Sequence, residues 1–481
     1  MDWIGTPDAW LGRLVLQRGL ALVYLLAFLS ALREFRVLAG EHGLTPAPDF
    51  LRRVPWRRAP SLFRLHYSDR LLAAVAWLGA ALSAALAAGL GDLVPLWATL
   101  PLWALPWLLY LSIVNIGQVW YAFGWESLLL EAGFLAIFLG NADITPPTFT
   151  LYLFVWLLFR VELGAGLIKW RGDPCWRKLT CLYYHHETQP MPGPLSWYFH
   201  RLPRPLHRVE AAANHVAQLI VPFGLFLPRP LATWAAAVII VTQLWLVASG
   251  NFAWLNWLTI LLAFAAVDGS LLARLVPPLP SPPEGRPHAP AWFTALVLAV
   301  TALVTVLSRH PVRNLLSRRQ QMNRIYNPLH LVNSYGAFGS VTRERHEIVL
   351  EGTSAPEPTE DADWREYEFH GKPGEVRRLP RQFAPCHLRL DWLMWFAALM
   401  PHSPRGWMLP LVDRLLAGDR HVLRLLRVNP FPDAPPRWVR ARVYRYRFTT
   451  RHERRTTGAW WHRELVTDYL RPRTLTPTPP V

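Results

Sequence analysis

Nine apolar runs, each near the length of a bilayer-crossing helix, decide what this chain can become. They lie near residues 11–32, 71–90, 93–114, 121–140, 148–168, 211–227, 231–249, 253–267 and 291–307. A helix needs about 20 apolar residues to cross a bilayer core, where it must satisfy its own backbone hydrogen bonds. The pattern therefore predicts an α-helical polytopic membrane domain over 1–308, with about nine spans. The N-terminus, M-D-W-I-G-T-P-D, is acidic rather than basic, so no cleavable signal peptide is expected.

The chain changes character after His310. Segments 341–351, 364–370 and 439–449 alternate apolar or aromatic residues with charged ones, the period of half-buried strands. Two amphipathic helices are expected over 389–401 and 407–427, the second ending at Asn429-Pro430. The sum is a C-terminal soluble α+β domain over 309–481 with an antiparallel sheet. Residues 276–290 are proline-rich and predict a linker into the last span. N-S-Y-G-A-F-G (333–339) predicts a tight turn where backbone approaches another surface, either a hinge or a partner contact. Gly164-Ala165-Gly166 inside a span predicts close helix packing.

The net charge of +17 is the next constraint. No helix-turn-helix, zinc-finger or RNA-binding pattern accompanies it, so nucleic acid is excluded as a partner. Anionic membrane lipid explains it better. Basic residues gather in two loops, 33–70 with eight arginines and 169–210 with seven arginines and lysines; the opposite loops hold Arg229, Arg274 and Arg286. With nine spans, both basic loops and the C-terminal domain share one face. The positive-inside rule makes that face cytoplasmic. Only three lysines among 50 basic residues point to a GC-rich, prokaryotic genome.

Ionisable side chains in hydrocarbon are candidate functional groups. They are Glu126, Glu131, Arg160, Glu162, Lys169 and the Glu210, Asn214, His215 set. One reading pairs Glu131 with Arg160 and Glu162 with Lys169 to fix helix registry; the other makes a polar cavity with an acid/base pair. The 169–194 loop concentrates Arg171, Asp173, Cys175, Trp176, Cys181, His185, His186, Glu187 and Gln189. Cys175 and Cys181 are either one small disulfide ring, which needs an oxidising compartment, or two packed thiols. The histidines, with His200 and His207, follow no H-E-x-x-H pattern, and adjacent His185 and His186 do not point together from regular structure. No metal or cofactor is expected. No nucleophile elbow, Walker or kinase motif appears, so an enzymatic role has no motif behind it.

Several segments resemble the lipase maturation factor family. They are L-G-A-G-L-I-K-W-R-G-D-P-C-W-R-K-L-T-C (163–181), H-H-E-T-Q-P-M-P-G-P (185–194), N-H-V-A-Q-L-I-V-P-F (214–223), S-G-N-F-A-W-L-N-W-L-T (249–259), N-S-Y-G-A-F-G-S-V-T-R-E-R (333–345), R-L-D-W-L-M-W-F-A-A (389–398), N-P-F (429–431) and P-P-R-W-V-R (435–440). The resemblance implies a membrane protein, of the endoplasmic reticulum in animals, that assists folding and maturation of exported lipases. Its client would be an exported lipase or other hydrolase. In a bacterium the equivalent place is the cytoplasmic membrane. The resemblance also implies a lumenal face for the 169–210 loop and the C-terminal domain, against the charge rule, and favours the Cys175–Cys181 disulfide. More distantly, the architecture is similar to vitamin K-dependent carboxylase-related membrane proteins. That likeness supplies the alternative, a membrane-embedded enzyme acting on a lipid-like or quinone-like substrate.

Overall fold

The computed structural model describes residues 5–275, 288–399 and 406–475. The expected linker 276–290 falls mostly outside these residues, as does the end of the helix expected over 389–401. The principal helices of the membrane half are α1 (Trp10–Ala39), α2 (Asp69–Ala88), α3 (Leu96–Ile116), α4 (Gly124–Ala136), α5 (Thr148–Arg171), α6 (Leu182–Thr188), α7 (Arg204–Leu219), α8 (Arg229–Ser249), α9 (Leu255–Ala263) and α10 (Ala291–Leu307). Among the described residues, six segments are long and apolar enough to cross a membrane by length and composition. They are Pro7–Ala39, Asp69–Ala88, Leu96–Ile116, Thr148–Arg171, Arg229–Ser249 and Ala291–Leu316.

The other three expected runs form shorter helices. The run at 121–140 is α4, which stops before the turn at Gly140, where φ is +73°. The run at 211–227 joins the polar-faced α7 to a short turn, and 253–267 is α9 with one further turn. Each still passes between the two ends of the bundle. At one end Arg13 donates to the Ile144 carbonyl at 2.9 Å, Asn141 to Val94 at 2.9 Å, and Thr233 to Ala266 at 3.3 Å. At the other, Gln118 donates to the Thr45 carbonyl at 2.7 Å and Asn251 to that of Pro192 at 3.2 Å. Among the described residues the bundle thus combines six helices long enough to cross alone with three shorter apolar runs. Residues 40–68, 172–203 and the C-terminal domain share the second end.

Aromatic rings fill the seam between α1 and α3. Tyr110 meets Tyr24 and Phe28 edge-on, with ring centroids 5.8 and 5.4 Å apart. Pro101 and Pro106 sit inside α3, which a membrane helix accommodates when neighbours serve the freed carbonyls. The small patch on α5 admits backbone: a Cβ at Gly164 would collide with the Tyr335 carbonyl, so the 333–339 segment lies directly on α5. The surface that the N-S-Y-G-A-F-G turn approaches is thus the chain's own membrane helix.

The C-terminal domain holds β1 (Arg345–Thr353), β2 (Arg365–Tyr367), α11 (Arg389–Ala398), α12 (Met408–Leu416), β3 (Trp438–Phe448) and β4 (Trp461–Arg473). The sheet is antiparallel in the order β2-β1-β3-β4. The single helix expected over 407–427 is interrupted at Gly418, whose φ is +65°, a conformation that suits a residue without Cβ. Strand β4 was not anticipated: W-H-R-E-L-V-T-D-Y-L-R-P-R lacks clean alternation, and its pairing with β3 contains register shifts.

Replacing Gly164 with Leu is expected to destabilise the protein by about 1–3 kcal/mol, because backbone rather than a movable side chain opposes it. Gly91→Ala, whose new Cβ meets nothing nearer than 3.5 Å, is the control. Thermal unfolding in detergent, with G164L matching G91A, would refute the close contact.

Candidate functional site

The polar groups of the spans divide into separate networks. Glu131 on α4 receives the Arg160 guanidinium of α5, the Asn333 N–H at 2.9 Å and the Tyr335 hydroxyl at 2.7 Å. Arg160 also donates to the Asn333 carbonyl at 2.7 Å. The pairing of Glu131 with Arg160 therefore forms, and it captures the 333–339 turn as well. Glu162 and Lys169 make no direct bridge. Glu162 accepts from Gln243 at 2.7 Å, and Gln243 in turn accepts from Asn256 at 2.6 Å. Lys169 donates to Asn214 and Gln218, each at 2.9 Å, with the Trp176 ring 5.0 Å away. His215 lies 3.1 Å from the Trp176 carbonyl.

Glu126 belongs to a third network that joins the two halves of the protein. Its carboxylate accepts from Arg389 of α11 at 2.8 Å and from the Tyr110 hydroxyl, and lies 3.4 Å from His387 Nδ1. Arg389 reaches Ser30 at 2.6 Å and lies 3.6 Å from Glu34, both on α1. Glu126, His387 and Arg389 are fully enclosed. Burial holds His387 down to about 4, with Arg389 adding to the effect against the pull of Glu126. His330, between Ser127 and Asn115, is likewise held down to about 4 by burial, against a weaker pull from Glu126.

The 169–194 loop is bound to the sheet domain along its length. Cys175 and Cys181 are joined in a disulfide, buried against Trp176, Leu182, Ala211 and Val341. Asp173 caps the turn by accepting from the Cys175 N–H and pairs with Arg343 at 2.9 Å. Burial raises the Asp173 carboxyl, but these partners outweigh it and leave it below its usual range. Arg171 donates to the Leu315 carbonyl at 2.7 Å, and Trp176 to that of Phe338 at 2.8 Å. Gln189 donates to the Ser249 carbonyl at 2.9 Å. Glu187 accepts from the Phe448 N–H of β3, and its pKa is raised by burial against that bond. His185 packs edge-on to Phe338 at 5.0 Å. His186 turns the other way, toward His207 and Glu210.

Arg345, which sequence reasoning passed over, is the clasp on this side. It pairs with Glu347 at 2.5 Å and donates to the carbonyls of Glu187 and Pro190, both at 3.1 Å, and to that of Gln189. Lys372 completes the triad, 2.9 Å from Glu347. Its only sequence signal was an Arg and a Glu two apart in a strand, which reads equally as a solvated face.

Between α5, α8, α9, the 335–340 turn and α11 lies a cavity of about 280 Å³. Glu162, Lys169, Gln218, Gln243 and Asn256 supply its polar corner, and Phe252, Phe338, Trp392 and Trp395 its apolar walls. It is somewhat smaller than usual small-molecule sites, which start near 300 Å³. Glu162 and Lys169 share this cavity but meet amide partners rather than each other, and Glu126, Glu131 and Arg160 lie in networks of their own.

Residues 11–274 match the family model described as lipase maturation factor transmembrane domain, and 331–471 match the lipase maturation factor C-terminal domain. The chain is 42% identical to lipase maturation factor 1 of Mus musculus, over 97% of this chain and 88% of that protein. It is 41% identical to the Homo sapiens factor 1, over 98% and 89%, and 30% identical to lipase maturation factor 2 of Gallus gallus, over 94% and 80%. The chain belongs to the lipase maturation factor family. No solved structure matches it. Both family segments meet at the Glu126–Arg389 and Arg345 contacts, so this member of the lipase maturation factor family is an integral membrane protein whose helical half and sheet domain share buried charges.

Arg389→Met strands Glu126 without its strongest partner and is expected to cost about 3–5 kcal/mol. Adding Glu126→Gln should restore part of that loss, a coupling that melting temperatures of the two single variants and the double variant measure. Simple additivity would mean that the pair does not join the halves.

Proposed function

We propose that this protein is a membrane-resident maturation factor that assists exported lipases to their active fold. The observation that carries the reading is the relation to lipase maturation factor 1 over nearly the whole chain at above 40% identity. The geometry fits a scaffold better than an enzyme. Glu126, Glu131 and Arg160 are spent on paired charges and on the 333–339 turn, and Glu162 and Lys169 on amide side chains, whereas the 169–210 loop and the sheet domain form one braced surface. That surface would meet a partly folded client at the membrane. Structural disulfides persist chiefly in oxidising compartments, which favours the non-cytoplasmic side for the loop. The membrane would be the endoplasmic reticulum in an animal and the cytoplasmic membrane in a bacterium, with an exported hydrolase as client in either.

In mammalian cells lacking lipase maturation factor 1, expression of this chain should raise the activity per mass of a co-expressed secreted lipase. Equal membrane levels of this chain and the mouse factor, with rescue by the mouse factor alone, would overturn the reading.

A further inference from the structure

Helices α6 and α7 face each other across three side chains whose facing atoms no hydrogen bond joins. His186 projects from α6, and His207 and Glu210 project from one face of α7 at i and i+3. His186 Nε2 and His207 Nδ1 each stand 3.6 Å from Glu210 Oε2, and the three ligand atoms lie within 4.8 Å of one another. Separations of 3.6 Å are too long for hydrogen bonds. They suit two ligands of one ion: metal–nitrogen and metal–oxygen bonds of about 2.0–2.2 Å at tetrahedral angles place ligand atoms about 3.4 Å apart.

The polar atoms themselves are unaccounted for. His186 Nδ1 and Nε2, His207 Nδ1 and Glu210 Oε2 are buried with no hydrogen-bond partner. The two imidazoles are 1% and 2% exposed, so bulk water does not serve them. Orphaned buried atoms converging on one point call for a bound species. The second carboxylate oxygen is already fixed, since Trp245 donates to Glu210 Oε1 at 2.7 Å and so presents Oε2 to the gap, as supporting groups around metal ligands do. Phe199 packs on His186 and on Trp245, with ring centroids 5.5 and 4.9 Å apart.

We propose that His186, His207 and Glu210 bind one divalent transition-metal ion of the zinc class. Two imidazoles and a carboxylate are a borderline-soft donor set that suits Zn²⁺ over Ca²⁺ or Mg²⁺. Three protein ligands leave a coordination position for water. The ion ties the loop helix that carries His186 to α7, five residues from the disulfide at Cys181, and so braces the same surface twice. Adjacent His185 is not one of the three converging ligands; its ring packs on Phe338 and Phe252. A second group, Asp173 with Cys175 and Cys181, also brings donor atoms together, but its sulfurs are consumed in the disulfide.

The test uses the full chain in detergent, stripped with chelator and kept free of reductant so that Cys175 and Cys181 stay joined. Titration with ZnCl₂ should saturate at about one ion per chain and raise the melting temperature. Glu210→Gln preserves shape and the Trp245 contact, and is expected to weaken zinc binding at least about tenfold, as should His207→Ala. His452→Ala, on an exposed helix of the sheet domain, should leave it unchanged. Should H207A fail to fold, E210Q alone decides. Absence of zinc uptake by the natural chain, or equal uptake by natural chain and E210Q, would overturn the proposal.

Discussion

The bond between Glu126 and Arg389 holds this molecule in one piece. One charge belongs to a helix of the membrane half and the other to the first helix after the sheet domain begins, and neither touches solvent. A buried carboxylate left alone is costly, so the two halves cannot part without rehydrating Glu126, Glu34 and Arg389 together. Arg345 repeats the device on the other side, donating into the carbonyls at 187–190. Between these two clasps the C-terminal domain is part of the membrane domain's structure rather than an appendage on a tether.

This attachment gives the 169–210 loop its shape. The loop leaves α5 through a short turn capped by Asp173, closes on itself by the Cys175–Cys181 disulfide, and then lies against β1 and β3. Arg201 donates to the Phe448 and Thr449 carbonyls at 2.7 and 2.6 Å, and Trp197 to Thr449 at 2.9 Å, extending the seam. Disulfide, basic loop and sheet thus occupy one end of the bundle. The proposed metal site would add a link between α6 and α7 in the same region.

Much of this was legible in the chain. The apolar runs located the helices because hydrocarbon burial leaves long, unbroken hydrophobic stretches. Alternation located β1, β2 and β3. What escaped were features that depend on the third dimension. β1 lies in the interior of the sheet, so Arg345, Glu347 and Glu351, which the alternating pattern assigned to a wet face, are buried and paired instead. Lys169 and Glu162, opposite charges in one span, suggested mutual neutralisation, yet α7 and α8 offer each of them amide partners. His186 lies more than 20 positions before His207 and Glu210, and only the packing of α6 on α7 brings it to them. Several basic residues of the two loops serve the protein itself: Arg64 donates to the Leu51 carbonyl, Arg171 to that of Leu315 and Arg201 to that of Phe448.

Cysteine labelling in sealed membranes tests the arrangement most directly. Cys386 is free and exposed on the C-terminal domain, whereas Cys175 and Cys181 are buried and joined. A membrane-impermeant maleimide should label Cys386 from the non-cytoplasmic side. Adding an impermeant reductant and mild denaturant should then expose Cys175 and Cys181 to the same side. Labelling of Cys386 from one side and the pair from the other, or of all three from the cytoplasm without reductant, would contradict a single oxidising face shared by the loop and the sheet domain.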